Sequence, residues 1–221
     1  MLKPFERNLN LWKKHLGHVP DSVWCFADQL ETLVLADNDL ADISERIGEL
    51  RGLRMLDLGH NFLTCLPSNL GELIQLSDFL YLHDNQLATL PQSLQNLKKL
   101  RYLNLSENRF QVFPDMVCAM TGLVELRFSD NELQDLPDSI GCLTSLRELH
   151  LRNNRLRTLP ASIVDLVELR QIDLRQNPIT ALPDSLLHLP KLEKLDLRWV
   201  TTLEMPTWLA DLEANGCLVY R

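Results

Sequence analysis

The side chains that could carry chemistry include three well-separated histidines, His60, His83 and His150, with carboxylates near them. A histidine beside a carboxylate can act as a general base or a metal ligand, but both roles need further groups converging on one point. His60 and His83 occupy different positions in neighbouring segments, with only Asp84 beside them. The sequence contains no nucleophile elbow, phosphate-binding loop, dinucleotide fingerprint or H-E-x-x-H motif. We therefore predict a protein that is not an enzyme, with no catalytic residue, no metal site and no cofactor.

Composition limits the classes of partner and compartment. The net charge of −8 disfavours anionic partners, so we expect neither nucleic acid nor a membrane surface to be bound. The five cysteines are odd in number and form no C-x-x-C pair, which indicates separate reduced thiols. No apolar run is long enough to span a membrane, and the start lacks the pattern of a secretory signal. We therefore expect a cytoplasmic location.

A repeat with a period of 23 or 24 residues organises the chain. Its motif, L-x-x-L-x-L-x-x-N-x-L, occurs seven times, and in all but the first copy a proline follows six residues after the asparagine. Degraded copies flank the regular ones, with Lys14 and Val200 at the asparagine position, and we count ten strand segments in all. We divide the chain into an amino-terminal cap with a degraded repeat (1–29), seven regular repeats (30–191), and a degraded repeat with a carboxy-terminal cap (192–221).

This pattern resembles the leucine-rich repeat family, in the 23-residue L-P-x-x-I subtype found in Scribble-like and Ras-group scaffold proteins and in bacterial repeat proteins. The resemblance covers nearly the whole chain and is specific for fold, but only weakly specific for function. It implies an α/β solenoid with a curved parallel sheet on its concave face and short helices or 3-10 turns on its convex face.

The residues give a physical reason for this shape. Alternation, as in Leu103-Asn104-Leu105, predicts a short strand whose leucines face inward. Leu159, Ile163 and Leu166 are spaced for one face of a helical turn, with Pro160 expected at its first position. One coil cannot bury its own leucines, so successive coils must stack.

Two sets of residues are expected to complete the stack. The motif asparagines should satisfy backbone groups between coils, a structural role; they are Asn38, Asn61, Asn85, Asn108, Asn131, Asn154 and Asn177. Aromatic side chains near both ends should cover the core; they are Phe5, Trp12, Trp24, Phe26, Trp208 and Tyr220, whereas Trp199 faces outward in the repeat register. Two spacings are stretched by one residue, Phe26 to Leu30 and Leu76 to Leu80. The second extra residue lies between Ser77 and Phe79, and either a functional bulge or a neutral insertion would explain it.

Four columns of outward residues should form the binding face. The predicted site is Phe79, Tyr81, His83, Tyr102, Asn104, Arg127, His150, Arg152, Arg175 and Arg198. Because interfaces are enriched in aromatic residues, we favour binding for the aromatic cluster. For the arginines, contact with an acidic partner and neutralisation by Asp173 and Asp196 remain equal alternatives.

An acidic stripe, Asp37, Asp84, Glu107 and Asp130, runs along one edge of this face. We favour simple solvation for it, and contact with a basic segment is the alternative. As a function we predict a monomeric protein-protein interaction module or adaptor that binds an unidentified protein partner on its concave face. The alternatives are the recognition subunit of a multi-component signalling enzyme, such as a kinase or ubiquitin ligase, and a secreted bacterial effector.

Overall fold

Ten short parallel strands form the frame of the molecule. The computed structural model describes residues 7–27 and 29–221, and within them the strands pair in chain order as one curved sheet that does not close. The strands are β1 (Asn8–Asn10), β2 (Thr32–Val34), β3 (Met55–Asp57), β4 (Phe79–Tyr81), β5 (Tyr102–Asn104), β6 (Glu125–Arg127), β7 (Glu148–His150), β8 (Gln171–Asp173), β9 (Lys194–Asp196) and β10 (Leu218–Tyr220). The prediction of a curved parallel sheet is confirmed. The proposed boundaries of the caps and the regular repeats stay an interpretation.

The opposite side of the coils carries short helices. The 3-10 helices span Asp21–Phe26, Glu45–Glu49, Ser68–Glu72, Gln92–Asn96, Asp115–Ala119, Asp138–Cys142, Ala161–Asp165 and Asp184–His188, and the α-helix α1 spans Leu209–Ala214. The expected 3-10 turns are therefore confirmed. Throughout the described ranges, no helix has the length and apolar character needed to cross a bilayer.

The proline of the repeat lies one residue earlier than expected. Pro160 precedes the helix Ala161–Asp165 with an extended backbone (ψ 152°), and its carbonyl accepts a hydrogen bond from the Ile163 amide at 3.1 Å. A 3-10 turn bonds each carbonyl to the amide three residues on, so the residue before the helix supplies the first acceptor. Proline can do this while its missing N–H leaves no donor without a partner.

The core is a continuous column of leucines between the sheet and the helices. Leu103 and Leu105 are both 0% exposed, as the alternation predicts. Near the middle, Phe110, Phe113 and Phe128 replace repeat leucines and pack with ring centroids 5.2 Å apart in two pairs. Since each coil is thin, its apolar residues are buried by the coils on either side, and stability is a sum over neighbours.

The motif asparagines join each coil to the one before it. Asn108 shows the pattern: its Nδ2 donates to the Leu105 and Ser106 carbonyls of its own coil and to the Leu82 carbonyl of the preceding coil. Its Oδ1 accepts from the Leu87 amide of the preceding coil at 2.9 Å. The other six repeat this arrangement, at Asn38, Asn61, Asn85, Asn131, Asn154 and Asn177. The predicted structural role is therefore visible in each regular coil.

The aromatic caps agree with the sequence at some positions and not at others. Trp24 is 4% exposed, and Phe26 and Trp208 are partly buried against the core. Trp12 and Tyr220, however, are 53% and 41% exposed, so their assignment to the caps is wrong. Both occupy outward positions of the repeat register, as Trp199 does; Tyr220, for example, pairs with Asp196. Phe5 lies outside the described residues.

The extra residue near Ser77 is absorbed before strand β4. The amides of Ser77 and Asp78 both donate to the Arg54 carbonyl, at 3.3 and 2.9 Å, while Phe79 still pairs with Met55. The outward columns therefore continue through this coil without a shift of register.

We predict that Asn108→Ala lowers the free energy of unfolding by about 3 kcal/mol, because it leaves buried backbone groups of two coils without partners. Urea unfolding followed by circular dichroism measures the effect. Asn96→Ala is the matched control: Asn96 is exposed on the convex side, and we expect its replacement to change stability by less than about 0.5 kcal/mol. Equal effects of the two substitutions would contradict the proposed role of Asn108.

Candidate functional site

Three aromatic rings form a continuous surface on the concave sheet, which we call the aromatic platform: Phe79, Tyr81 and Tyr102. The rings of Phe79 and Tyr81 are stacked, with centroids 5.7 Å apart and planes at 10°. Tyr102 lies 5.4 Å from Phe79 and 5.1 Å from Tyr81, between centroids. Phe79 is 41% exposed, so a large apolar surface remains open to a partner.

Strands β4 and β5 hold the platform in place. Leu80 and Leu103 point into the core and are 0% exposed, which forces the residues on either side of them outward. Parallel pairing then sets Phe79 opposite Tyr102, and Tyr81 opposite Asn104. The ring positions thus follow from the buried leucines and not from contacts among the rings themselves.

Two histidines adjoin the platform. The His83 ring lies 6.0 Å from that of Tyr81 and 4.8 Å from that of His60, and His60 Nδ1 is 2.5 Å from an Asp84 oxygen. Gly59 leaves room for His83 in this position, since a Cβ on residue 59 would come within 2.4 Å of the His83 ring and the ring would have to move. Burial, followed by the nearby His60, lowers the pKa of His83, so this ring is neutral at neutral pH.

The Asp57 carboxylate lies next to the platform and forms no ion pair with any residue of 7–27 or 29–221. Asp57 pairs with Tyr81 across β3 and β4, and its Oδ1 accepts a hydrogen bond from the Gly59 amide at 3.0 Å. Burial raises the pKa of Asp57, although the Gly59 bond and the neighbouring histidines oppose the rise. Burial also raises the pKa of Tyr81, and that of Tyr102 to about 12, so both phenols stay uncharged. The platform is therefore uncharged, and it lies beside the Asp57 carboxylate, whose negative charge is disfavoured by burial.

The arginines toward the carboxyl end are held in ion pairs. Arg175 donates two hydrogen bonds to Asp173 (2.8 and 2.6 Å), and Arg198 donates two to Asp196 (2.9 and 2.7 Å). The residue two positions before Arg152 is His150 and not an aspartate, and Arg152 bonds Asp130 of the preceding coil at 2.7 Å. The neutralisation expected from Asp173 and Asp196 is thus present, and a role of these arginines in binding stays a prediction.

Asp196 is the most buried carboxylate of this surface, at 1% exposed. Burial alone would raise its pKa, but hydrogen bonds from the Arg198 side chain and backbone, and the charge of Arg175, lower the pKa of Asp196 overall. The pair therefore contributes stability above the ordinary aspartate pKa, and this contribution is lost as the pH falls through the lowered value. Arg198 and Asp196 thus have a structural function in the last coils.

One group of potential metal ligands converges, and it is not the one considered from the sequence. Within the described ranges, the ligand atoms of Glu125, Glu148 and His150 lie within 4.8 Å of one another, whereas His60 and His83 complete no such group. Arg127, however, donates to Glu125 at 2.5 Å, and His150 Nε2 lies 3.2 Å from Glu148. The Arg127 guanidinium already supplies a positive charge to this group, so a metal ion would have to displace its ion pair with Glu125.

The concave surface contains two shallow grooves. One of about 290 Å³ lies at the platform edge, lined by Asp78, Phe79, Arg101, Tyr102, Val124 and Glu125. Another of about 240 Å³ is strongly polar and is lined by Asn104, Ser106, Glu107, Arg127, Ser129, Asp130, His150, Arg152, Asp173 and Arg175. Of the ten residues predicted from the sequence, six lie in strands β4 to β7 and four lie two residues after a strand. In the described part of the chain the three aromatic rings and His83 adjoin one another, and a role of the ten residues in binding stays a prediction.

The backbone accounts for part of the acidic stripe. Its members, like the equivalent residues of other coils, have a left-handed conformation with φ between 50° and 57°. Aspartate tolerates this conformation better than most residues, which is a structural reason for its use there. The repeat motif does not predict this conformation or the Arg152–Asp130 pair, which joins two coils, whereas the Arg127–Glu125 pair lies within strand β6.

Comparison with known proteins identifies the family. Residues 28–87 and 144–199 match the family model described as Leucine rich repeat, and residues 68–154 match one described as Leucine-rich repeat region. The chain therefore belongs to the leucine-rich repeat family, as the motif spacing predicted.

Individual relatives share the repeat and differ in role. Rabbit (Oryctolagus cuniculus) fibromodulin is 30% identical over 87 residues, which are 39% of this chain and 57% of fibromodulin. The plant peptide hormone receptor RGFR1, solved in complex with RGF2, superposes with a TM-score of 0.81 at 30% identity over 96% of this chain and 35% of the receptor. The leucine-rich repeat domain of the type III effector XopL superposes with a TM-score of 0.82 over 99% of this chain and 77% of its own, but at 23% identity it shows the fold alone.

We predict that Asp57→Asn raises the free energy of unfolding at neutral pH. The raised pKa of Asp57 means that folding favours its protonated form. The native protein therefore loses stability as the pH rises from the ordinary aspartate pKa through the raised one. An amide keeps an acceptor for the Gly59 amide and removes the charge. Denaturation at pH 7.5 and pH 4.5 should show the stabilisation at the higher pH and a smaller difference at the lower.

The control for this prediction is Asp42→Asn, which removes an exposed carboxylate outside the concave face. We expect it to leave stability nearly unchanged at both pH values. Destabilisation by Asp57→Asn at pH 7.5 would show that the Asp57 charge has a partner that the structure does not identify.

Proposed function

We propose that this protein is a non-enzymatic adaptor that binds a protein partner on its concave face, with the aromatic platform as the anchor. Leucine-rich repeat proteins commonly mediate protein-protein interaction. The observation that supports this role most strongly is the platform itself: three adjoining rings, partly exposed, on a rigid parallel sheet. Water-exposed aromatic surface of this kind gains free energy when a partner covers it.

The relatives support a proteinaceous ligand. RGFR1 is a peptide hormone receptor solved with RGF2, and the receptor kinase ectodomain GASSHO1/SCHENGEN3 from Arabidopsis thaliana, with a TM-score of 0.68 at 28% identity, was solved with CASPARIAN STRIP INTEGRITY FACTOR 2. We carry over only the kind of ligand, a peptide or protein segment. This chain covers 35% and 28% of those two receptors, so their wider activities belong to them.

The remaining parts of the proposal rest on the sequence. We propose a monomer in the cytoplasm that links its partner to other components, as in scaffold and signalling assemblies. A recognition subunit of a signalling enzyme, or a secreted effector, would use the same concave surface and would differ in what the partner does. No contact in the described part of the chain favours either alternative over the adaptor.

Photo-cross-linking tests the proposal. Benzoylphenylalanine placed at position 81, in the platform, should give a discrete protein adduct in extract of the source cells. The same group at position 96, on the exposed convex side, is the control and should not give this adduct. Adding Phe79→Ser and Tyr102→Ser to the position-81 protein should remove the adduct by removing apolar contact area. The same adducts from positions 81 and 96, or an adduct that survives the serine substitutions, would contradict binding at the platform.

A further inference from the structure

Within the proposed function, the geometry points to a more specific partner. We infer that the aromatic platform binds a basic segment of the partner protein, with a Lys or Arg side chain lying across Phe79 and Tyr81 and its cation reaching Asp57. The inference rests on concave-face binding and adds the charge and the orientation of what is bound.

The molecule contains an internal example of the same arrangement. The Arg127 guanidinium lies over the Tyr102 ring, 5.8 Å from its centroid, and donates to the Glu125 carboxylate at 2.5 Å. Aromatic face, cation and carboxylate thus occur together at one end of the platform. A cation in this position gains from the ring quadrupole and from the carboxylate at once.

Other exposed aromatics of the concave face also have cations. Lys13 lies 5.7 Å from the Trp12 ring, Lys194 5.4 Å from Tyr220, and Arg198 5.6 Å from Trp199. Phe79 and Tyr81 differ, since no Lys or Arg of residues 7–27 or 29–221 lies over either ring. These two rings provide the aromatic face of the arrangement, and a bound partner would supply the cation.

Two of the four carboxylates in this part of the face also lack a cation among the described residues. Asp37 has Lys13 at 3.7 Å and Asp84 has His60, but Asp57 and Glu107 form no ion pair with any described residue. Asp57 pairs directly with Tyr81 along the sheet, so a cation over that ring lies about one strand spacing, roughly 5 Å, from its carboxylate. Burial has already raised the pKa of Asp57, and a cation would relieve this unfavourable negative charge.

The charge balance differs between the two halves of the face and decides the sign of the partner. We count the outward positions of strands β2 to β5 together with the outward positions of the turn after each strand. They contain four carboxylates, Asp37, Asp57, Asp84 and Glu107, and no Lys or Arg. The equivalent positions of β6 to β9 contain five carboxylates and five Lys or Arg residues, largely paired with one another. An acidic partner is therefore repelled from the platform and finds few free cations beyond it.

The test uses a random dodecapeptide library displayed on phage, selected on the full chain. We expect enriched peptides to carry net positive charge, with Lys or Arg next to an apolar residue. Their affinities, measured by fluorescence anisotropy, should fall about tenfold or more in Asp57→Asn/Glu107→Gln and weaken as salt is raised. The matched control, Asp42→Asn/Glu204→Gln, makes the same change in net charge at exposed sites off the concave face, and should bind within about twofold of the wild type.

The outcomes separate this inference from the proposed function. Because Asp57→Asn is expected to stabilise the fold and Glu107 is exposed, unfolding does not explain weaker binding by the double variant, and its urea unfolding curve checks this. Peptides that depend on Phe79 and Tyr102 but are neutral or acidic, or that bind both double variants equally, would overturn the basic partner and leave concave-face binding intact. If no peptide is enriched, or if none depends on the platform, both ideas fail for peptide segments.

Discussion

At the end of each strand the backbone turns away from the sheet, and amide and carbonyl groups there are buried without ladder partners. The asparagine side chain satisfies them on both sides of the gap between coils: Asn108 donates to carbonyls of two coils and accepts from the Leu87 amide. An apolar residue at this point would leave several buried polar groups unbonded. The seven regular coils all repeat this bridge, and the rest of the structure builds on the stack that it holds together.

Because the register is constant, residues at equivalent positions of successive coils lie side by side and form a surface. Leu80 and Leu103 are fixed inward, so Phe79, Tyr81 and Tyr102 must meet on the outer side. The buried leucines of the sheet stabilise the fold, and the outward residues are free to vary in type. That freedom permits a stacked aromatic pair beside a carboxylate whose charge is unfavourable for folding, an arrangement expected where binding and stability conflict.

The sequence was sufficient for the fold, since the fold follows from periodicity. Ten strands, the 3-10 turns and the bridging role of Asn108 could be predicted because each coil repeats one local pattern. Only part of the charge pairing could be predicted, because some pairs lie two residues apart in one coil and others are set between coils. Arg175 takes Asp173 of its own strand, whereas Arg152 reaches back to Asp130 of the preceding coil.

The terminal aromatics show the limit of composition as a guide. Large size and nearness to the chain ends favour cap positions for Trp12 and Tyr220, yet the register places both outward. The alternation of inward and outward positions in the repeat predicts the outward placement of both residues. The cation over Tyr102 and the absence of one over Tyr81 in the described chain needed side-chain geometry, since Arg127 adjoins one ring and not the other.

Hydrogen-deuterium exchange of the chain with and without its cross-linked partner or a selected peptide tests the central claim most directly, because it locates binding without substitutions. The account predicts slower exchange in 55–60, 79–84 and 102–107, the strands around the platform and the turns that follow them. Unchanged exchange there, with protection confined to the convex 3-10 helices such as Ser68–Glu72 and Gln92–Asn96, would contradict it.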